Sequence, residues 1–171
     1  MAKIQLKPSL SARRTPVETK TTGKKPAPVV KKSDIPGLTL SQIRKATPKY
    51  ILNNSNEVVI SSLKQKATKT GLPGVIAKPV SVGMKGRKIL YTATVVGKDK
   101  DYPLYHRSQK VMVSCSCDFF MYYCEFALTR WHAATIKYSN GQPASVTNPS
   151  NVPMVCKHLA HLFDVIKDHG F

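Results

Sequence analysis

The chain has 171 residues, of which 42% are hydrophobic, and a formal net charge of +18 at pH 7. This length is sufficient for one folded domain with an extension, and the charge favours a polyanionic partner such as nucleic acid or an acidic protein surface. The sequence has neither the apolar core of a signal peptide nor a run of about 18 apolar residues, so we expect a protein that is neither secreted nor membrane-spanning. In a cytoplasmic protein, four cysteines indicate thiols or a metal site in preference to disulfides.

The basic residues are concentrated in the first two thirds of the chain. Residues 1–36 contain nine Lys and Arg against two acidic residues, and residues 37–110 contain fourteen against three. Residues 111–171 contain four of each. We therefore predict three parts: an extended basic arm (1–36), a basic region with a short helix and strands (37–110), and a C-terminal module (111–171).

The arm, residues 1–36, contains five prolines, no aromatic residue and no hydrophobic period. Such a segment cannot bury enough apolar surface to fold alone, so we predict that it is extended and becomes ordered against a partner. Its paired basic residues are the predicted contacts to a polyanion or partner protein. They are Arg13, Arg14, Lys24, Lys25, Lys31 and Lys32.

The middle region predicts one short helix followed by strands. Thr39 or Ser41 is the expected N-cap of the helix, and Pro48 is expected to end it. Four segments then read as strands: NEVVISSL, GVIAKPVSV, RKILYTATVVG and QKVMVSC. The third, over residues 88–96, is apolar or threonine on both sides, which predicts a strand covered on both faces. The turn before it offers a further predicted polyanion contact through Lys85, Arg87 and Lys88.

The C-terminal module predicts a strand, an aromatic helix, a loop and a final helix. Val111 and Val113 should share one face of the strand, and Asp118 is the expected N-cap of the aromatic helix. In the loop, the Asn-Gly pair at 140–141 could close a hairpin. The final helix should end at Gly170. Its apolar stripe consists of Leu159, Leu162, Phe163 and Ile166.

Four residues of this module have the types and spacing of metal ligands. Cys115 and Cys117 are two apart at a strand end, so both side chains can point to one side. Cys156 and His158 lie where a loop enters the final helix, and helix N-terminal amides favour a thiolate there. Three thiolates and one imidazole are a ligand set typical of structural zinc. The sequence therefore predicts a structural Zn²⁺ site at these four residues.

The order Cys-x-Cys…Cys-x-His resembles the SWIM zinc finger, a small ββα metal module. Carried over by position, the resemblance implies the same four ligands and covers about residues 88–169. The gap of 38 residues between Cys117 and Cys156 is longer than is usual in that family. The segments CSCDF, YSNGQP, TNPSNVP and CKHL also resemble parts of small zinc-motif proteins of tailed bacteriophages. The resulting fold expectation is α+β: a small β-sheet with a zinc-stapled ββα-like C-terminal module and the extended basic arm.

Other interpretations of the cysteines and histidines stay open from the sequence. The four residues can be ordinary core residues, and a Cys115–Cys117 disulfide would close a strained ring and leave Cys156 without a partner. Cys124 is a rival ligand, although its position in an aromatic helix favours a buried small side chain. His161, three residues after His158, can also turn toward a metal.

Two hypotheses about function follow, and neither has a small-molecule substrate. The first is a non-enzymatic structural component of a tailed-phage virion (head–tail junction, tail or baseplate), docked on other proteins through the arm. The second is a SWIM-type nucleic-acid-binding protein in which residues 1–110 contact phosphates. We favour the first, because no helix has DNA-reading residues along one face. Catalysis by the metal is not expected, because no acidic residue near the ligands has the place of a general base.

Overall fold

The structure, a computed structural model, describes residues 35–82 and 86–171. These residues combine a five-stranded antiparallel sheet with several helices, which confirms the α+β class. The six basic residues predicted as contacts in the arm, and Lys85 in the turn, lie outside the described residues. None of the described helices is both long enough and apolar enough to cross a lipid bilayer.

Two short helices precede the sheet. Helix α1 (Leu40–Ala46) begins with a capping box, in which Thr39 Oγ1 accepts the N–H of Gln42 and Gln42 Oε1 accepts the N–H of Thr39. The prediction of Thr39 as N-cap is therefore confirmed. Pro48 follows the end of α1, as expected, but it is also the N-cap of helix α2 (Lys49–Asn54), which the sequence analysis did not predict. A 3₁₀ turn at Ser55–Glu57 leads into the sheet.

The sheet has five strands, all paired antiparallel with their neighbours. Strand β1 pairs with β2, β2 pairs with both β3 and β4, and β4 pairs with β5. Each of the four predicted strand segments is found, with the third divided into β3 and β4. The strands are β1 (Val59–Gln65), β2 (Gly74–Val82), β3 (Lys88–Leu90), β4 (Ala93–Gly97) and β5 (Val111–Cys115).

The break between β3 and β4 lies opposite a proline of β2. Leu90 pairs with Val80 and Ala93 pairs with Ala77, so the register is the same on both sides of the break. Between them, Tyr91 donates its N–H to the carbonyl of Pro79 at 2.9 Å. Pro79 has no N–H to return, which interrupts the ladder at this point.

One face of the sheet is covered and the other is open. Val75, Ala77, Val95 and Val113 are buried on the covered face, where helix α4 packs against β4 and β5. Strand pairing places a second set of residues on the opposite side, which we call the open face, and all of them are half-buried or exposed. They are Val59, Ser62, Lys64, Ile76, Lys78, Val80, Val82, Lys88, Leu90, Thr94, Val96, Met112 and Ser114.

The prediction that residues 88–96 are covered on both faces is wrong. Ile89 is 41% exposed and Leu90 is 59% exposed, because the helices cover β4 and β5 but leave β3 uncovered. The related prediction for β5 is confirmed, since Val111 and Val113 are both buried on one face.

The two edges of the sheet differ. The outer edge of β5 is closed, because Val111 donates its N–H to Leu38 and Val113 donates its N–H to Ala133. Within the described residues, β1 pairs with β2 alone. The ladder of β1 is irregular between Ile60 and Ser62, which is one way in which an edge strand resists further pairing.

The aromatic helix begins one residue earlier than predicted. Residues 118–119 are already helical, and Cys117 caps them: its carbonyl accepts the N–H of Met121 and its Sγ accepts the N–H of Phe120 at 3.4 Å. The prediction of Asp118 as N-cap is therefore wrong. The helix continues as a π-helical segment (Phe120–Cys124) and then as helix α3 (Glu125–Arg130).

The long loop after α3 contains no hairpin, contrary to the prediction. Gly141 takes a positive φ of +77°, but the flanking residues form no strand. Hydrogen bonds to buried side chains hold the loop instead. Glu125 accepts the N–H groups of residues 137–139, and Asn148 bonds the carbonyls of Tyr123 and Val152.

Helix α4 (Lys157–His169) completes the core, and its prediction is confirmed. Gly170 ends it in the left-handed conformation with φ +72°, and all four residues of the predicted apolar stripe are buried. The helix packs against α2, β4 and β5. The division predicted between residues 110 and 111 falls between β4 and β5, which are paired neighbours, so residues 37–110 and 111–171 share one sheet and one core.

Candidate metal centre

The end of strand β5 positions the first two predicted ligands. Cys115 is the last residue of β5 and pairs with Ala93 of β4. The next residue, Ser116, donates its N–H to the carbonyl of Thr92 and accepts the N–H of Thr92 with its hydroxyl. This extra pair of hydrogen bonds keeps the chain extended past the strand, so that Cys117 lies on the same side as Cys115.

The start of helix α4 positions the other two. Cys156 is the N-cap of the helix, and His158 lies in its first turn. The preceding residue is fixed from a distance, because Val155 donates its N–H to Thr47 Oγ1 at 3.1 Å. Thr47 in turn donates its hydroxyl proton to the carbonyl of Ile43. The end of α1 therefore holds the entry to α4 in place.

The four predicted ligands meet at one point. One ligand atom from each of Cys115, Cys117, Cys156 and His158 lies within 4.8 Å of the others, and all four residues are buried. The distance between Cys115 Sγ and His158 Nδ1 is 3.8 Å. In tetrahedral zinc sites, metal–ligand bonds of about 2.0–2.3 Å place the ligand atoms about 3.3 to 3.8 Å apart. The four residues can therefore hold one metal ion after a small contraction.

The imidazole of His158 has a partner on each side. Its Nδ1 faces Cys115, and its Nε2 lies 2.6 Å from Ser81 Oγ, a buried hydroxyl on β2. Metal-bound histidines commonly donate the other ring N–H to such a partner, which fixes the tautomer and the ring plane. The ring of Tyr91 also lies against His158, with centroids 4.5 Å apart.

The three thiols form one hydrogen-bonded group. Hydrogen bonds from Cys115 and Cys156 lower the pKa of Cys117. The hydrogen bond to Cys117 raises the pKa of Cys115, and burial raises the pKa of Cys156. A bound cation would take the place of the shared protons and favour thiolate at all three positions.

Neither rival ligand belongs to this cluster. Cys124 is buried, donates its thiol proton to the carbonyl of Phe119, and has a pKa raised by burial. Among the described residues, the grouping of possible ligands contains neither Cys124 nor His161. The described cysteines are all free, so the cluster contains no Cys115–Cys117 disulfide.

A cleft of about 250 Å³ lies beside the four ligands. Cys117, Cys156 and His158 contribute to its wall. Asp118 and Lys157 also line it, one exposed and one half-buried. The centre is thus buried by sheet and helix on one side and approached by solvent on the other.

Sequence reasoning missed Ser81 and Tyr91. The sequence contains only a weak signal for Ser81. In the strand GVIAKPVSV, alternation places Ser81 on the same face as Val75 and Ala77. Ser81 is therefore a hydroxyl on an otherwise apolar face. Nothing in the sequence relates that face to His158, which lies 77 residues away.

Two of the predicted polyanion contacts lie within the described residues. Arg87 and Lys88 are exposed, and Lys88 begins β3.

No protein-family model, curated protein or solved structure matches the chain. The likeness to the SWIM finger therefore stays a prediction from the motif, and the chemistry of the site has to be inferred from its own geometry.

Proposed function

We propose that the chain is a non-enzymatic structural or interaction protein in which Cys115, Cys117, Cys156 and His158 bind one structural Zn²⁺. The convergence of four buried ligand atoms within 4.8 Å supports this proposal above every other observation. A sulfur-rich tetrahedral set favours zinc over harder metals. Four protein ligands complete the coordination of zinc and leave no open position for a substrate, which is typical of a structural site.

The ion would connect parts of the chain that are distant in sequence. Cys115 and Cys117 come from the end of β5, whereas Cys156 and His158 come from the start of α4. Two backbone contacts already support the ligands, from Phe120 N–H to Cys117 Sγ and from Val155 N–H to Thr47. The bound metal would crosslink the sheet to the last helix.

Metal content of the purified chain tests this proposal. We expect one zinc ion per chain in the unmodified protein and in Cys124→Ser, a matched buried cysteine outside the cluster. Cys117→Ser and Cys156→Ser should lose the ion, because each removes a thiolate ligand. Iron at the same stoichiometry would contradict the choice of zinc. Equal loss of zinc in Cys124→Ser would contradict the assignment of the four ligands.

We also propose where such a protein acts: in the virion of a tailed phage, docked on acidic surfaces of other proteins through the basic arm, residues 1–36. The support comes from the sequence, namely the aromatic-free arm with its five prolines and the motif segments that resemble phage proteins. Deletion of residues 1–36 should abolish incorporation into virions and leave metal content unchanged. Normal incorporation of the shortened chain would contradict this proposal.

A second candidate function is nucleic-acid binding, with residues 1–110 in contact with phosphates. The observation that favours it is the composition of the sheet, whose strands contain Lys64, Lys78 and Lys88 and no acidic residue. Binding of this kind weakens steeply as salt concentration rises, because bound phosphates release their counterions. Affinity that is insensitive to salt would exclude it.

A further inference from the structure

The three lysines of the strands all lie on the open face of the sheet. Lys64 pairs with Ile76, Lys78 pairs with Ser62 and Lys88 pairs with Val82, and antiparallel partners project to the same side. None of the open-face residues is acidic. Positive charge on this surface is therefore not neutralised by a carboxylate of the same surface.

A cleft extends this basic surface at one end. Its volume is about 510 Å³, and Ile76, Thr94 and Val96 of the open face line it together with Lys66 and Lys69. Both of these lysines are exposed. The cleft adds two positive charges beside the row formed by the strand lysines.

The three strand lysines span a distance that suits an extended polyanion. Lys64 and Lys88 lie opposite Ile76 and Val82 of the same strand, β2. At about 3.3 Å per residue, the six residue steps from Ile76 to Val82 span roughly 20 Å. That distance corresponds to about six base-pair steps of a duplex, with about twelve phosphate charges along it.

Hydroxyl groups also lie on this side of the sheet. Lys78 Nζ donates to Thr92 Oγ1 at 2.7 Å, which holds the ammonium group down on the sheet. The hydroxyls of Thr94 and Ser114 lie 2.6 Å apart on neighbouring strands. Lys, Ser and Thr are the side chains that commonly contact phosphate oxygens.

We propose that the open face binds the phosphate backbone of double-stranded nucleic acid, with Lys64, Lys78 and Lys88 as its principal contacts. The proposal names the surface for the second candidate function and rests on that function. Single strands are disfavoured because their binding sites use aromatic side chains for base stacking, and no open-face residue is aromatic.

Salt-dependent binding of a short labelled DNA duplex to the full-length, zinc-loaded chain tests the proposal. The variant is the triple change Lys64→Ala, Lys78→Ala and Lys88→Ala. Its control removes the same charge from exposed positions outside the strands, through Lys45→Ala, Lys100→Ala and Arg107→Ala. The slope of log affinity against log salt should fall by about 1 for each phosphate that is no longer neutralised, hence by about 3 in the sheet variant. The control should retain the slope of the unmodified chain.

The possible outcomes distinguish a wrong binding surface from a wrong function. Equal slopes in the sheet variant and the control would overturn the open face as the binding surface, while nucleic-acid binding would stand. No binding of duplex by the unmodified chain would overturn both. Tighter binding of a single strand, with the same dependence on the three lysines, would overturn the choice of duplex. Full competition by polyglutamate at equal charge would identify an acidic protein as the partner and overturn the proposal.

Discussion

At the scale of single residues, the four cysteines differ because their surroundings differ. Cys124 and Cys156 are both buried thiols with a pKa raised by burial. The neighbours of Cys156 are two further sulfurs and an imidazole, whereas Cys124 bonds a backbone carbonyl. Burial alone therefore does not identify a metal ligand, and the position of the other three donors does.

Ser81→Ala should weaken zinc binding by about 10- to 100-fold, because the hydroxyl fixes the ring of His158 through Nε2. Ser62→Ala on the open face is the matched control and should retain full affinity. Competition with a chromophoric chelator measures both. Ser81→Thr, which keeps a hydroxyl, should recover much of the affinity. Unchanged affinity in Ser81→Ala would show that the hydrogen bond is not needed to orient the ligand.

The ligands could be predicted from the sequence, and Ser81 could not. Cys115 and Cys117 are two residues apart at a strand end, where alternate side chains point to one side. Cys156 and His158 are two residues apart at the start of a helix. Each pair is therefore a local property of the chain. The contact from Ser81 to His158 depends on the sheet register and on how α4 packs over it. Long-range packing of this kind has no local sequence signal.

At the scale of secondary-structure elements, the π-helical segment is hydrogen-bonded to a distant loop. The sequence predicts an ordinary helix there, and the helix is present. The segment has a wider turn than an α-helix, and Thr147 Oγ1 and Asn148 Nδ2 donate to the carbonyls of Tyr122 and Tyr123 at 2.6 and 2.8 Å. Both donors are 25 residues away, so these hydrogen bonds could not be predicted from the helix itself.

Glu125 fixes the loop that follows the same helix. Its carboxylate is fully buried and accepts the N–H groups of Lys137, Tyr138 and Ser139 at 2.6 to 3.2 Å. No motif in the sequence indicates a partner for this residue. Backbone donors cannot be recognised in a sequence, which is why the role of Glu125 was missed.

Glu125→Gln should lower the free energy of unfolding by about 2 to 3 kcal/mol, because an amide NH₂ replaces one acceptor oxygen and leaves buried N–H groups without a partner. Urea denaturation of the zinc-loaded protein measures this. Glu57→Gln, at an exposed position, is the control and should be within about 0.5 kcal/mol of the unmodified protein. A Glu125→Gln protein as stable as the control would show that the loop does not depend on the carboxylate.

At the scale of the whole molecule, the sheet joins the regions that the sequence analysis separated. Charge and cysteine content change near residue 110, and this change suggested a boundary. The pairing of β4 with β5 and the contact from Ser81 to His158 cross that position. Charge composition indicates which parts of the chain face solvent. The extent of the core depends instead on which apolar faces pack against each other.

Metal removal should therefore destabilise the sheet as well as the last helix. At a free zinc concentration 1,000 times the dissociation constant, binding contributes about 4 kcal/mol to the free energy of unfolding, and chelation removes this contribution. Hydrogen exchange should show faster exchange for amides of β2 and β4 together with those of α4. Faster exchange confined to residues 155–169 would instead indicate that the C-terminal part unfolds on its own.

The unequal edges of the sheet limit how copies of this chain could join by backbone pairing. Leu38 and Ala133 already accept hydrogen bonds from β5, whereas β1 pairs with β2 alone among the described residues, so the outer side of β1 is available to a further strand. Two copies related by a twofold axis would use both available sides at once. Pairing of this kind would join two copies through β1 into one continuous sheet.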